Sequence, residues 1–373
     1  MDRDIRNNKI KIIFGLLLVI AGIIFCFMNF NSKKGINITT WNNYYNENNI
    51  IFFYDNVENE RLSLLNSDYK VSEFVKDEKS EINKILKTVD IVNSLVESDD
   101  VPSKKINSGY DILAEKGETK KVSKKDMAII ERDLLASIGY DSRVGIFRKK
   151  NAQFTSNSEY YVVEYWSQEY SKWIMIDFLD RGYFLDGDEK LSAMEVLTSN
   201  ISDISYLGKS SQKSYKNKIK SYLDSYTLAL DNTISGNKSN CYLTYIKDKE
   251  ALEIKFKDKF APATIFTEEK KLFEKSPFDK QVGTDEKAYI IMSQISDKNS
   301  VTKNNKSSDS IKMVIGGFKD DKIMDSYYLN INDSGYESIT KYKDIEIKPG
   351  INKIELSLDG TNPVSSVVIE NNK

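Results

Sequence analysis

Histidine is missing altogether from this chain of 373 residues, and cysteine and proline are scarce, at two and five. Without an imidazole there is no side chain whose ordinary pKa lies between pH 5 and 8, so the usual general base of neutral-pH catalysis is excluded. Zinc sites of the Cys/His kind are excluded by the same count. Of the two cysteines, Cys26 lies in an apolar run and Cys241 is alone in the rest of the chain, so no disulfide can staple that rest. Cys241, in "NCYLTYI", reads as a small buried hydrophobe. Charge of one sign is lacking too: the net charge is −2 with lysines and acids interspersed. No basic stripe exists to neutralise phosphates, which excludes nucleic acid as a partner. The acidic stretches "DGDEK" (186–190) and "KDDK" (319–322) lack the alternating pattern of a calcium loop and read as solvated turns. No metal and no cofactor is expected.

What is present is the balance of a folded protein, 40% hydrophobic and 29% charged. One uncharged run, "IIFGLLLVIAGIIFCFM" at 12–28, would extend roughly 26 Å as a helix and suggests a transmembrane anchor over residues 12–30. Arg3, Arg6, Lys9 and Lys11 precede it, so the positive-inside bias would leave residues 1–11 as a cytoplasmic tail. No small-x-small cleavage site follows Met28, which favours an uncleaved anchor over a signal peptide. On this reading the protein is single-pass in the plasma membrane, touches the lipid bilayer through residues 12–30, and carries its bulk outside the cytoplasm.

Residues 31–63 read as a spacer with a first strand at "IIFFYD" (50–55). From 64 to 206 helices precede strands. Ile82, Ile85, Leu86, Val89, Val92, Leu95 and Val96 mark one face of a helix from about 78 to 97, and "GYDILAEK" a short second one. Met127, Ile130, Leu134 and Ile138 mark a third, from Lys124 to Ile138, which Gly139 ends. Three β-branched and aromatic strands follow, at 141–147, 159–166 and 172–178. Past a polar helix at about 212–224, residues 207–373 are β-rich, with the short strands of a sandwich-like domain. There "DIEIKPGINKIELSL" has the look of a hairpin turning at Pro349-Gly350. The fold class expected is α+β with a C-terminal β-sandwich.

The order of "DYKVSEFVKDEKSEINKILKTVDIVNSL", "VPSKKINSGYDILAEKG", "LLASIGYDSRV" and "YYVVEYWSQEYSKWIMID" resembles the transglutaminase-like superfamily, whose core is the papain-like α+β fold. The resemblance covers roughly residues 64–200. In that family the third helix begins with a nucleophilic Cys, the second strand begins with a His in a His-x-x-x-Glu pattern, and the last strand ends in Trp-x-x-x-Asp. Carried over by position, the Cys place is taken by Lys124, fifteen residues before Gly139, with Ser123 and Lys125 beside it. The His place, four residues before Glu164, is taken by Tyr160. The Asp place keeps its residue, Asp177, four residues after Trp173.

The chemistry that the resemblance implies needs a thiolate and an imidazole that takes and returns its proton. A lysine with an ordinary pKa near 10.4 and a tyrosine near 10 are not poised for either role. The expectation is therefore a pseudoenzyme with a degenerate triad, no catalytic residue, and a binding or scaffolding role at a bacterial cell envelope. Its ligand would be an envelope protein, a peptide or a glycan. Two alternatives stay open: a noncanonical hydrolase or acyl transferase rewired around Lys124 or Ser123 as nucleophile with Tyr160 or Asp177 as base, and a glycan-binding, adhesin-like surface protein. The aromatic surplus offers a candidate binding groove at Tyr160, Glu164, Trp166 and Trp173. The plainer reading makes Glu164 and Asp177 hydrogen-bonded carboxylates left from the old site, with Lys124 or Arg143 as ionic partners.

Overall fold

The computed structural model describes residues 36–99, 107–115, 120–150, 157–247, 264–280, 283–294 and 311–372. Its centre is a six-stranded sheet in the order Thr264–Thr267, Tyr242–Ile246, Ser225–Ala229, Ser142–Arg148, Glu159–Ser167, Lys172–Ile176. Neighbours are antiparallel except the first pair. Strand alternation gives this sheet two buried faces. Val163, Tyr165, Ile174 and Ile176 point to one, where they pack with Met127, Ile130 and Leu134 of the helix Lys124–Ser137. Val162 and Met175 point to the other, toward the helices Ala193–Thr198 and Gln212–Ile219 and the strand Tyr289–Gln294.

The helix Lys124–Ser137 starts where local chemistry sets it. Ser123 accepts the Asp126 amide and the Asp126 carboxylate accepts the Ser123 amide, a reciprocal capping box. Gly139, at φ +89°, lets the chain leave it. Helices Glu60–Tyr69, Glu81–Leu95 and Gly109–Glu115 surround it on the side away from the sheet. That contact buries Glu131 completely. Thr88 Oγ1, which carries a single proton, lies 2.7 Å from the Ile85 carbonyl oxygen and 2.7 Å from Glu131 Oε1. A hydroxyl cannot donate twice, so the arrangement is satisfied when Thr88 donates to Ile85 and a protonated Glu131 donates to Thr88.

Burial pushes the Glu131 carboxyl up to about 8. Between its ordinary value near 4.5 and about 8 the unfolded chain releases this proton while the folded chain keeps it. Folding stability should therefore fall as pH rises through that window, by up to about 1.4 kcal/mol per pH unit from this group. Glu131→Gln should remove that slope from urea denaturation midpoints collected between pH 5 and 8. An unchanged slope would show that Glu131 is ionised in the fold.

After the central sheet the chain builds two sheets around a third core. One runs Ile36–Asn42, Pro363–Asn371, Gly350–Ser357, Ser326–Ile331, Tyr336–Thr340. The other pairs Ile311–Lys319 with Tyr289–Gln294, Lys322–Ile323 and Tyr342–Ile347. Ile290, Met313, Ile315 and Ile347 meet Leu329, Ile354, Leu356 and Val367 between them.

Several expectations need correction. No helix among the described residues is long and apolar enough to cross a membrane. Residues 1–11 and 12–30, where the tail and the anchor were expected, lie outside the described residues. The transmembrane helix, the single-pass plasma-membrane location and the bilayer contact find no support among the described residues. The segment expected to be a spacer instead supplies Ile36–Asn42 as the edge strand of the first sandwich sheet, whereas Phe53 of "IIFFYD" makes only one bridge, to Asp231. The central sheet crosses the boundary drawn at 206/207, since Ser225–Ala229 pairs with Ser142–Arg148. The two arms around Pro349-Gly350 do not pair with each other but enter opposite sheets. Alternation shows that each arm buries one face; it does not name the partner strand.

Candidate functional site

On the sheet face turned away from the helix Lys124–Ser137, Tyr160 and Asp177 meet. Asp177 follows the strand Lys172–Ile176 and is fully buried. Its Oδ2 accepts the Tyr160 hydroxyl in a short bond and the Tyr215 hydroxyl at 2.6 Å. Its Oδ1 accepts the amides of Leu179 and Asp180 at 2.8 and 2.9 Å. Lys218, exposed on the helix Gln212–Ile219, donates to Tyr160 Oη at 3.2 Å and covers the Tyr160 ring at 4.9 Å. Tyr206 stacks flat on Tyr215 with centroids 3.6 Å apart and donates to Asp180. Gly182 makes that approach feasible, because a Cβ there would stand 2.1 Å from Tyr206 Oη. Burial, and then the Asp177 charge, raise Tyr160 above the ordinary tyrosine range, and Tyr215 is raised in the same way. Both phenols therefore stay protonated and act as donors.

Lys124 is not brought to this pair. It is exposed at the first turn of its helix, and among the described residues no hydrogen bond or ion pair links it to Tyr160 or Asp177. Ser123, the other candidate nucleophile, spends its hydroxyl on the capping box, donating to Asp126 Oδ2 at 2.7 Å. Neither is hydrogen-bonded to Tyr160 or Asp177 among the described residues.

A second polar cluster lies further along the same sheet face. Arg143 Nε donates to Glu164 Oε2 at 2.8 Å, while Nη2, ion-paired with the same oxygen at 2.8 Å, donates to the Phe273 carbonyl at 2.6 Å. Its guanidinium lies 3.9 Å from the Trp173 ring centre. Glu164 also accepts the Tyr226 hydroxyl and the Ala193 amide, each at 2.8 Å. Tyr226 reaches across the strand Ser142–Arg148 at Gly145, where a Cβ would lie 1.9 Å from its hydroxyl. Trp173 donates to the Lys275 carbonyl at 2.7 Å and stacks on Tyr54. Arg143 and Glu164 are fully buried.

The four residues expected to line a groove thus have another position. Tyr160, Glu164 and Trp173 are buried, and only Trp166, edge-on to Trp173, stays half-buried. The four share one sheet face by period-two alternation, and strands and helices from 193–291 cover that face. The expected ionic partner Arg143 is found on Glu164. Among the described residues no group of three or more His, Cys, Asp or Glu could hold a metal. The expected solvated turn at 319–322 is otherwise: Asp321 is buried, accepts the Ile51 amide at 3.0 Å, and is pushed by burial up to about 7. Cys241 is buried as expected, and burial pushes its thiol up to about 12.

Sequence reading missed Tyr215, Lys218 and Tyr226, because they follow the boundary set at 206. A signal did exist: in "QKSYKNKI" only Tyr215 and Ile219 are apolar, four residues apart, which marks the buried side of a polar helix.

No protein-family model and no curated protein matches the chain. Among solved structures, a candidate cysteine protease from Cytophaga hutchinsonii is similar at 14% identity and a TM-score of 0.27. The alignment covers 41% of this chain and 50% of that one, so this chain matches half of its length. A likeness this weak assigns no residue a role.

Proposed function

We propose that this chain is a non-catalytic member of the transglutaminase-like superfamily that acts by binding a peptide, a glycan or another protein. The observation that carries the reading is the Asp177 carboxylate. Four donors occupy its two oxygens inside a closed core, so it is free neither to orient a base nor to take a proton from a substrate. The residue at the expected His position, Tyr160, is one of those donors and is raised further from neutral pH by burial. The order of helix and strands, with Gly139, Glu164, Trp173 and Asp177 at the places the family pattern gives them, supports the ancestry. Lys124 has no partner at the Tyr160–Asp177 pair, which weighs against a rewired hydrolase.

The test is direct. Purified protein is incubated with a glutamine-containing peptide and a fluorescent primary amine, and separately with peptide and ester substrates. Turnover should not exceed the blank, and Lys124→Ala should give the same trace. Turnover that Lys124→Ala abolishes would overturn the non-catalytic reading.

A further inference from the structure

A solvent-open cavity of about 380 Å³ lies where the loop after the strand Ser225–Ala229 faces the turns beside the strands Lys322–Ile323 and Tyr342–Ile347. That volume falls in the usual range of small-ligand sites. Both walls are set before any ligand arrives. On the loop side Asp231 accepts the Thr233 amide at 2.9 Å, the Thr233 hydroxyl at 2.5 Å, and the amides of Lys238 and Ser239 at 2.6 and 3.3 Å. Gly236 sits at φ +56°, and a Cβ there would stand 2.2 Å from Asn107 Nδ2. On the sandwich side the Lys341 carbonyl accepts the Tyr327 hydroxyl at 3.0 Å, and the Lys341 amide donates to Asp325 O at 3.2 Å. The Tyr342 ring lies over Gly316, in van der Waals range of where a Cβ would be. Asn240 Nδ2 reaches Tyr342 Oη at 3.5 Å and so joins the two walls.

The lining has a definite chemistry. Lys238, Lys322 and Lys341 face the cavity against a single acid, Asp325, which stands 3.8 Å from Lys341 with both side chains well exposed. Lys238 and Lys322 have no ionic partner among the described residues. The Tyr342 ring is 47% exposed, one of the few large side chains left open. Cations for a carboxylate, an open aromatic face for the C–H side of a ring, and an amide for hydroxyl groups are together the complement of an acidic sugar. An inorganic anion would need neither the aromatic face nor the volume.

We propose that this cavity binds an acidic saccharide, a sugar carrying a carboxylate, with Lys238 and Lys322 on the carboxylate and Tyr342 under the ring. The proposal rests on the non-catalytic reading, in that the sugar is held and not converted.

Isothermal titration of the full chain against digalacturonate, glucuronate and sialyllactose tests it, with lactose, inorganic phosphate and tetraglutamate as the other arms. At least one acidic sugar should bind saturably and at least tenfold more tightly than all three of the other arms. Binding should weaken in 0.5 M salt, and at least tenfold in Lys322→Glu and in Tyr342→Ala, both with unchanged melting temperature. No saturable binding by any acidic sugar, equal binding of phosphate or tetraglutamate, or indifference to both substitutions would overturn it. Such a failure leaves absent turnover as it was, whereas turnover of a peptide would sink the non-catalytic reading without touching the titration.

Discussion

Arg143→Met should lower the free energy of unfolding by about 3–5 kcal/mol in urea titrations, the cost of leaving a buried carboxylate without its cation. Arg143 and Glu164 have no solvent exposure, so neither water nor a moved side chain can take over. Three interactions go at once: the hydrogen-bonded ion pair with Glu164, the bond to the Phe273 carbonyl, and the packing on Trp173. Arg143→Lys should recover little, because an ammonium cannot lie flat on Trp173 and reach Glu164 and Phe273 together. Arg143→Met with Glu164→Gln should recover about half. The neutral amide no longer needs a cation, and its carbonyl still serves the Ala193 amide. A cost under about 1 kcal/mol for Arg143→Met would mean that the guanidinium is hydrated.

Asp177→Ala should be comparably damaging, about 4 kcal/mol or more, since it strands the hydroxyls of Tyr160 and Tyr215 and the amides of Leu179 and Asp180. Asp177→Asn should cost less than half of that. Its carbonyl can keep the two amides while its NH2 donates to the phenol oxygens. Tyr160→Phe and Tyr215→Phe should each cost about 1–2 kcal/mol. Urea midpoints for the four variants give the ranking. A destabilisation of Asp177→Ala no greater than that of Tyr160→Phe would show that the carboxylate is not the hub of this cluster.

Both predictions concern residues that sequence spacing had singled out, and the structure holds them in buried hydrogen bonds. Glu164 and Asp177 stood out as a carboxylate pair at family spacing, and the bland reading, hydrogen-bonded acids with Arg143 as a partner, is what the geometry contains. Lys124 stood out by the same spacing and lies exposed, away from the pair. Counting along a helix locates a position on its axis. Whether that position meets a residue on a strand depends on which sheet face the helix covers.

Local chemistry in the chain decided a good deal unaided. The capping box of Ser123 and Asp126, the apolar steps of Met127, Ile130 and Leu134, and the alternation of the aromatic strands set the elements where they are found. The missing histidine excluded imidazole chemistry before any fold was known. Tertiary structure alone decided which strands pair. It carried Ile36–Asn42 to the C-terminal strand, Ser225–Ala229 into the central sheet, and the arms around Pro349-Gly350 into opposite sheets. It also laid Tyr215, Lys218 and Tyr226 over the face that an open groove would have needed. Periodicity records which side of an element is buried. The identity of what buries it is a long-range choice, fixed only when all the faces are covered together.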